Sequence, residues 1–250
     1  MTDKSILDKA IKKYSARHVL ERPQAVLFDM DGILYDSMPL HARAWKRMCD
    51  LNGIQADENE FFGYEGRTGA STINILFNRQ YGHGADDDLC KLLYAQKSEF
   101  FKSMPEPAMM PGAKAAVDAV IAAGLRCVLV TGSAQHSVLD RLDRDYSGAF
   151  SIRVTGLDVK HGKPHPEPFL KGLEKSGIKA WQAVAVDNAP LGVRSAADAG
   201  IFTIGVRTGP LPKGALLEAG ANVELDSMDE CAQVLKWIFN DYERKADFHK

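Results

Sequence analysis

Apolar and polar positions along the chain follow two alternating rhythms. Short, mostly apolar runs occur at Ala25–Phe28, Arg126–Val130, Ile152–Val154, Ala183–Val186 and Phe202–Val206. Such runs are too short for free-standing helices and read as strands buried on both faces of a parallel sheet. Between them lie stretches with helical spacing, Pro111–Gly124, Ala134–Leu142, Glu167–Ser176 and Leu191–Ala199, several closed by a glycine. The alternation predicts an α/β fold, a parallel sheet flanked by helices. From Leu40 to about Met104 the rhythm is helical only, at His41–Met48, Ser71–Phe77 and Asp86–Phe101. This predicts an α-helical cap domain over 39–104, inserted into a core made of 23–38 and 105–250. Its edges carry the breakers Ser37-Met38-Pro39 and Met104-Pro105-Glu106-Pro107. Residues 1–22 form an extension whose Ile6, Leu7, Ala10, Ile11 and Tyr14 recur at helical spacing. That helix is expected to serve packing or a contact between copies, in a monomer or homodimer.

Composition narrows the function classes. The 250 residues are 45% hydrophobic and 26% charged, enough for a full core, and the net charge of −2 gives no electrostatic reason to expect nucleic acid. No apolar run is long enough to span a bilayer and the first residues lack a signal-peptide pattern, so a cytoplasmic protein is the expectation. Cys49, Cys90, Cys127 and Cys231 are scattered without C-x-x-C spacing, which suggests neither zinc nor a disulfide framework.

Chemistry concentrates at the predicted strand ends, where open α/β sheets place their ligands. Asp29 and Asp31 follow the first strand and are expected on one side of it. Thr131-Gly132-Ser133 follows the second, Lys163-Pro164 a later loop, and Asp187-Asn188 the fourth. Taken singly, these are an acidic turn, an N-cap, a surface lysine and a strand-to-helix turn. Taken together, in this order, they form a phosphoryl-transfer set. Asp29 is the expected nucleophile, forming an aspartyl-phosphate, and Asp31 the group that protonates the leaving oxygen and later activates water. Thr131, Gly132 and Ser133 would bind phosphoryl oxygens and Lys163 would balance charge. Mg²⁺ would be held by Asp29, the Asp31 carbonyl, Asp187 and Asn188.

The stretch Asp29-Met-Asp31-Gly-Ile-Leu-Tyr-Asp36-Ser37, with Thr131-Gly-Ser, Lys163-Pro and Asp187-Asn-Ala-Pro-Leu-Gly192, resembles the haloacid dehalogenase superfamily in its β-phosphoglucomutase-like group. The resemblance spans about residues 24–226. It implies a Rossmann-like core, Mg²⁺-dependent aspartyl-phosphate chemistry and a mobile helical cap that selects a small phosphate substrate. Asn188 stands where the group usually carries a carboxylate. In the cap, Glu65 and Gly69 replace the lysine and arginine of the mutases, and Ala134 and Gln135 replace a lysine and an asparagine. His41 matches a mutase histidine. Glu65-Gly-Arg67-Thr-Gly-Ala-Ser71, with Asn188-Ala-Pro-Leu-Gly192, resembles a branch that hydrolyses inorganic pyrophosphate. Glu65, Arg67, His41 and Lys97 are therefore the cap residues expected to face substrate. The expected activity is hydrolysis of pyrophosphate or a sugar phosphate. A phosphosugar mutase is the alternative, and a binding module without turnover fits poorly with intact Asp29, Asp31, Thr131 and Lys163.

Overall fold

The computed structural model describes residues 4–15, 22–133 and 136–247. Strands β1 (Ala25–Phe28), β2 (Arg126–Val130), β3 (Ile152–Val154), β4 (Ala183–Asp187), β5 (Phe202–Val206) and β6 (Val223–Leu225) form one sheet in the order β3-β2-β1-β4-β5-β6. Every pairing is parallel, with Phe28 beside Leu129 on one side and Val186 on the other. The period-two alternation of a strand explains why the central runs are apolar throughout. Val26, Phe28, Val184 and Val186 enter one buried cluster, whereas Ala25, Leu27, Ala183 and Ala185 enter another on the opposite face.

The helices are α1 (Lys4–Ser15), α2 (Met38–Leu51), α3 (Gly69–Tyr81), α4 (Asp87–Lys102), α5 (Ala113–Ala122), α6 (His136–Asp145), α7 (Glu167–Ser176), α8 (Pro190–Asp198), α9 (Ala215–Glu218) and α10 (Met228–Asp247). Helix α10 brings Val234, Leu235 and Ile238 onto the same face as Ala116, Val117 and Val120 of α5. Helices α2, α3 and α4 enclose a separate apolar cluster that includes Met48, Phe61, Ile73, Leu76 and Leu93. This helical insertion leaves the chain right after β1 and returns to it before α5. Among the described residues no helix is long and apolar enough to cross a membrane.

Several boundaries move from the sequence reading. The first helix of the insertion begins at Met38, directly after Ser37, and a 3₁₀ segment at Glu58–Tyr64 is opened by a capping box on Asp57. The helix expected over Pro111–Gly124 is only Ala113–Ala122, because Gly112 and Gly124 both take left-handed backbone angles. Strand β6 and helices α9 and α10 were not anticipated. β6 shows three residues of weak alternation and takes its place by pairing with β5. For the amino-terminal helix, the described part is α1, and it serves packing. Leu7, Ala10 and Tyr14 join the main core, and Tyr14 donates to the Gly200 carbonyl at 2.6 Å while its ring meets Phe202 edge-on. Ala134 and Gln135 lie outside the described residues.

Candidate active site

Sheet order reverses between β1 and β4, and the crevice at such a switch point is where doubly wound sheets bind ligands. Asp29 directly follows β1 and Asp187 closes β4, so adjacent strands deliver two carboxylates to that crevice. β1 ends at Phe28, so Asp29 and Asp31 belong to the turn beyond it, and strand alternation does not position them. The turn depends on Gly32, whose φ is +78°. A Cβ there would strike the Asn188 amide and stand 3.0 Å from Glu65 Oε1. Thr208 Oγ donates to the Gly32 carbonyl at 2.6 Å and holds the turn in place.

Lys163 is the central cation. Its Nζ donates to Asp29 Oδ1 at 2.6 Å and to Asp187 Oδ2 at 2.7 Å, all three side chains being buried. Burial opposes the charge on Lys163, but Asp187 and Asp29 outweigh it and push its pKa above the ordinary lysine value. Burial pushes Asp29 up to about 7, with Asp187 and Asp31 adding to the rise against the pull of Lys163.

Asp31 has a different environment. Ser37 Oγ donates to Asp31 Oδ1 at 2.5 Å, and His41 Nε2 lies 3.0 Å from the same oxygen. Lys97 Nζ approaches His41 Nδ1 at 2.6 Å. An ammonium can only donate, so Nδ1 accepts and the neutral imidazole carries its proton on Nε2, directed at Asp31. Burial, then Lys97, lowers the His41 pKa, which keeps the ring neutral. Burial works against ionisation of Asp31, yet the hydrogen bonds from His41 and Ser37 favour its carboxylate and hold its pKa below the ordinary aspartate value. Burial in turn lowers Lys97 to about 8. Its ammonium sits 5.2 Å from the Trp45 ring and 5.2 Å from that of Phe101, and Phe101 stacks on His41 at 4.1 Å. Ser37 and this aromatic cage were missed from sequence. Ser37 stood inside the first motif, whereas Trp45 and Phe101 carried only a helical apolar spacing.

The insertion closes over these groups. Asn188 Nδ2 donates to Glu65 Oε1 at 2.9 Å, and burial followed by the neighbouring aspartates raises the Glu65 pKa well above the usual glutamate value. A Cβ on Gly162 would lie 2.7 Å from Thr68 Cγ2, and one on Gly132 would lie 3.0 Å from the Gly66 carbonyl oxygen. Glycines thus let the 66–68 segment seat directly on the core loops. The partly open cavity between them is about 60 Å³ and is lined by Asp29, Asp31, His41, Glu65, Arg67, Lys97, Gly132 and Ser133, among others. Thr131, Lys163, Asp187 and Asn188 stand behind this wall. Thr131 Oγ accepts from the Ser133 N–H at 3.0 Å, and the others act through Asp29 and Glu65. Arg67 borders the cavity, but its guanidinium donates to Ser71 Oγ at 3.3 Å.

Two buried oxygens, Ser133 Oγ and Asn188 Oδ1, have no hydrogen-bond partner among the described residues. Buried polar atoms are rarely left so, and these mark where a ligand belongs. No three His, Cys, Asp or Glu side chains among the described residues are grouped to hold a metal by themselves, and the Lys163 ammonium stands between Asp29 and Asp187. The donors on offer are all oxygen: two carboxylates, the orphaned Asn188 amide oxygen and main-chain carbonyls. With the Asp31 carboxylate close by, negative charge exceeds what Lys163 balances. That donor set and that surplus fit a hard divalent cation such as Mg²⁺.

Comparisons with known proteins agree with this geometry. Residues 23–200 match the model of the haloacid dehalogenase-like hydrolases. The chain is 32% identical over 217 residues to the phosphorylated carbohydrates phosphatase of Thermotoga maritima, covering 86% of this chain and 99% of that protein. It is 30% identical over 185 residues to hexitol phosphatase A of Escherichia coli, covering 74% of this chain and 83% of that one. Among solved structures, a candidate β-phosphoglucomutase from Bacteroides vulgatus superposes with a TM-score of 0.89 at 41% identity, over 95% of this chain and 99% of that one.

Proposed function

Since the chain belongs to the haloacid dehalogenase-like hydrolases, we propose that it is a Mg²⁺-dependent phosphohydrolase acting through an aspartyl-phosphate on Asp29, with inorganic pyrophosphate foremost among its small phosphate substrates. The observation that carries the reading is the cavity itself, about 60 Å³ with Asp29, Asp31 and Ser133 in its wall and Glu65 over it. Its polar wall suits a phosphate-sized group and a few waters beside the reacting carboxylates.

In this reading the Asp29 carboxylate attacks phosphorus and the bond to the leaving oxygen breaks. Lys163 holds Asp29 Oδ1 in place and offsets the charge that develops. Ser133 Oγ, otherwise unpartnered, donates to a phosphoryl oxygen. Water then attacks the same phosphorus, Asp31 takes its proton, and phosphate leaves Asp29. Mg²⁺, when bound, would neutralise the phosphoryl oxygens and carboxylates, held by Asp29, the Asp31 carbonyl, Asp187 and Asn188. The ionised state of Asp31 favours pyrophosphate further. A carboxylate can serve as base for water at once, but must first gain a proton to act as acid. Phosphate leaves without protonation far more readily than a sugar alkoxide does.

A sugar phosphate is the second reading, supported by what the Thermotoga maritima and Escherichia coli relatives are named for. Phosphate release from pyrophosphate, glucose 1-phosphate and a panel of sugar and nucleotide phosphates, with Mg²⁺ and with EDTA, decides between them. Mg²⁺-dependent release from pyrophosphate at least tenfold above every ester is the expected result. Broad release from sugar phosphates selects the second reading. Glucose 6-phosphate formed from glucose 1-phosphate, without free phosphate, makes the protein a mutase and overturns both.

A further inference from the structure

On the far side of Arg67 and Lys163 from the reaction cavity lies a second hollow, an open groove of about 520 Å³. The cap contributes Arg67 and Ser71 to it, the loop after β3 contributes Lys160, His161 and His165, and α8 contributes Arg194. None of Arg67, Lys160 and Arg194 has a carboxylate within ion-pair distance among the described residues. Asp198 is the acid in the lining, so the groove carries a surplus of positive charge. Arg67 lines both hollows, and its buried Nε has no hydrogen-bond partner. Its guanidinium is held by Ser71, a residue of the groove and not of the reaction cavity.

The loop is also pre-shaped. Glu167, nearby, spends its carboxylate on the N–H groups of Lys160 and His161 at 2.9 and 3.0 Å. The Glu167 N–H donates to His165 Nδ1 at 3.1 Å, so in the neutral ring the proton of His165 sits on Nε2 as a free donor. The two histidine rings lie 4.8 Å apart. Donors and cations from both bodies therefore converge on one space whose lining, Lys163 apart, has no part in the phosphoryl chemistry.

We propose that this groove is a second, non-reacting site for a small phosphorylated anion, whose occupant ties the cap to the core. Guanidinium and ammonium groups gain most from multiply charged oxygens, which makes a diphosphate or phosphate ester the fitting class. Because Arg67 comes from the cap and Lys160 and Arg194 from the core, an occupant bridging them favours the closed arrangement. The site stands or falls independently of which substrate is hydrolysed.

The test is calorimetric titration of the full chain carrying Asp29→Asn, in Mg²⁺, with methylenediphosphonate, a diphosphate that cannot be hydrolysed. Lys160→Ala with Arg194→Ala in that background should weaken one binding event about tenfold or more. Lys160→Arg with Arg194→Lys should restore it, and Ser133→Ala should leave it unchanged while weakening the reaction-cavity event. Hydrogen exchange over 64–71 should slow on adding the probe and cease to respond in the double-alanine protein. Binding that is the same in the double-alanine protein overturns the proposal. Loss in the double-alanine protein of only the event that Ser133→Ala also weakens overturns it as well, because Lys160 and Arg194 would then act on the reaction cavity and not on a separate site.

Discussion

Asn188 Nδ2 and Glu65 Oε1 meet across 2.9 Å in a buried hydrogen bond that joins the end of β4 to the helical insertion. A carboxylate at position 188 would set a second acid against Glu65 with no N–H to offer it, while the amide supplies a donor to Glu65 and still leaves Oδ1 free for a ligand. The departure from the family's usual acid at this position and the glutamate in the cap are thus one feature. Removing one partner of a buried hydrogen bond leaves the other unsatisfied at a cost of about 1–3 kcal/mol. Glu65→Ala should therefore lower kcat/KM about 10- to 100-fold while circular dichroism stays native, read by phosphate release on the preferred substrate.

Lys163 separates two buried carboxylates, and its removal leaves both without a counter-charge. Lys163→Met should destabilise the protein by about 3–5 kcal/mol, measured by urea unfolding at neutral pH. Asp29→Asn removes one charge from the same crowded site, so the fold should survive intact while turnover disappears. Phosphate release by homogeneous Asp29→Asn protein at the native rate would end its assignment as nucleophile.

Closure depends on bare backbone at the seam. Gly162→Val places a branched side chain where a Cβ alone would already stand 2.7 Å from Thr68 Cγ2. The expected result is a KM raised about tenfold or more with little change in the urea midpoint, since the cap and the core keep their own apolar clusters.

Asp145 predicts the acid limb of stability. Burial raises its carboxyl, but hydrogen bonds from Arg144, Arg141 and Tyr35 outweigh that and hold its pKa below the ordinary aspartate value. The unfolded chain then binds more protons than the folded one across that window, so stability rises with pH there. The contribution is complete above the unfolded aspartate value of about 3.9 and is lost as pH falls through the folded one. Asp145→Asn should flatten the fall of melting temperature between about pH 5 and pH 3.

What the sequence determined by itself was local. Continuous apolar runs such as Ala183–Val186 had to be doubly buried strands, and their alternation with helical stretches left little choice but a parallel α/β sheet. The order Asp29, Thr131, Lys163, Asp187 at or beyond successive strand ends placed these candidate site residues near one another, because parallel strands deliver their carboxyl ends to one edge. β6 and α10 escaped that reading, since three weakly patterned residues become a strand only by pairing with β5. Tertiary structure decided the partners. Strand order put Asp29 beside Asp187 with Lys163 between them, and a loop more than a hundred residues away supplied that lysine. It directed Arg67 to Ser71 and a second groove, and it set Asp31 apart from Asp29 through Ser37 and His41. Charge state and side-chain direction depend on neighbours brought together by the fold, and spacing along a chain records only which residues are available to become neighbours.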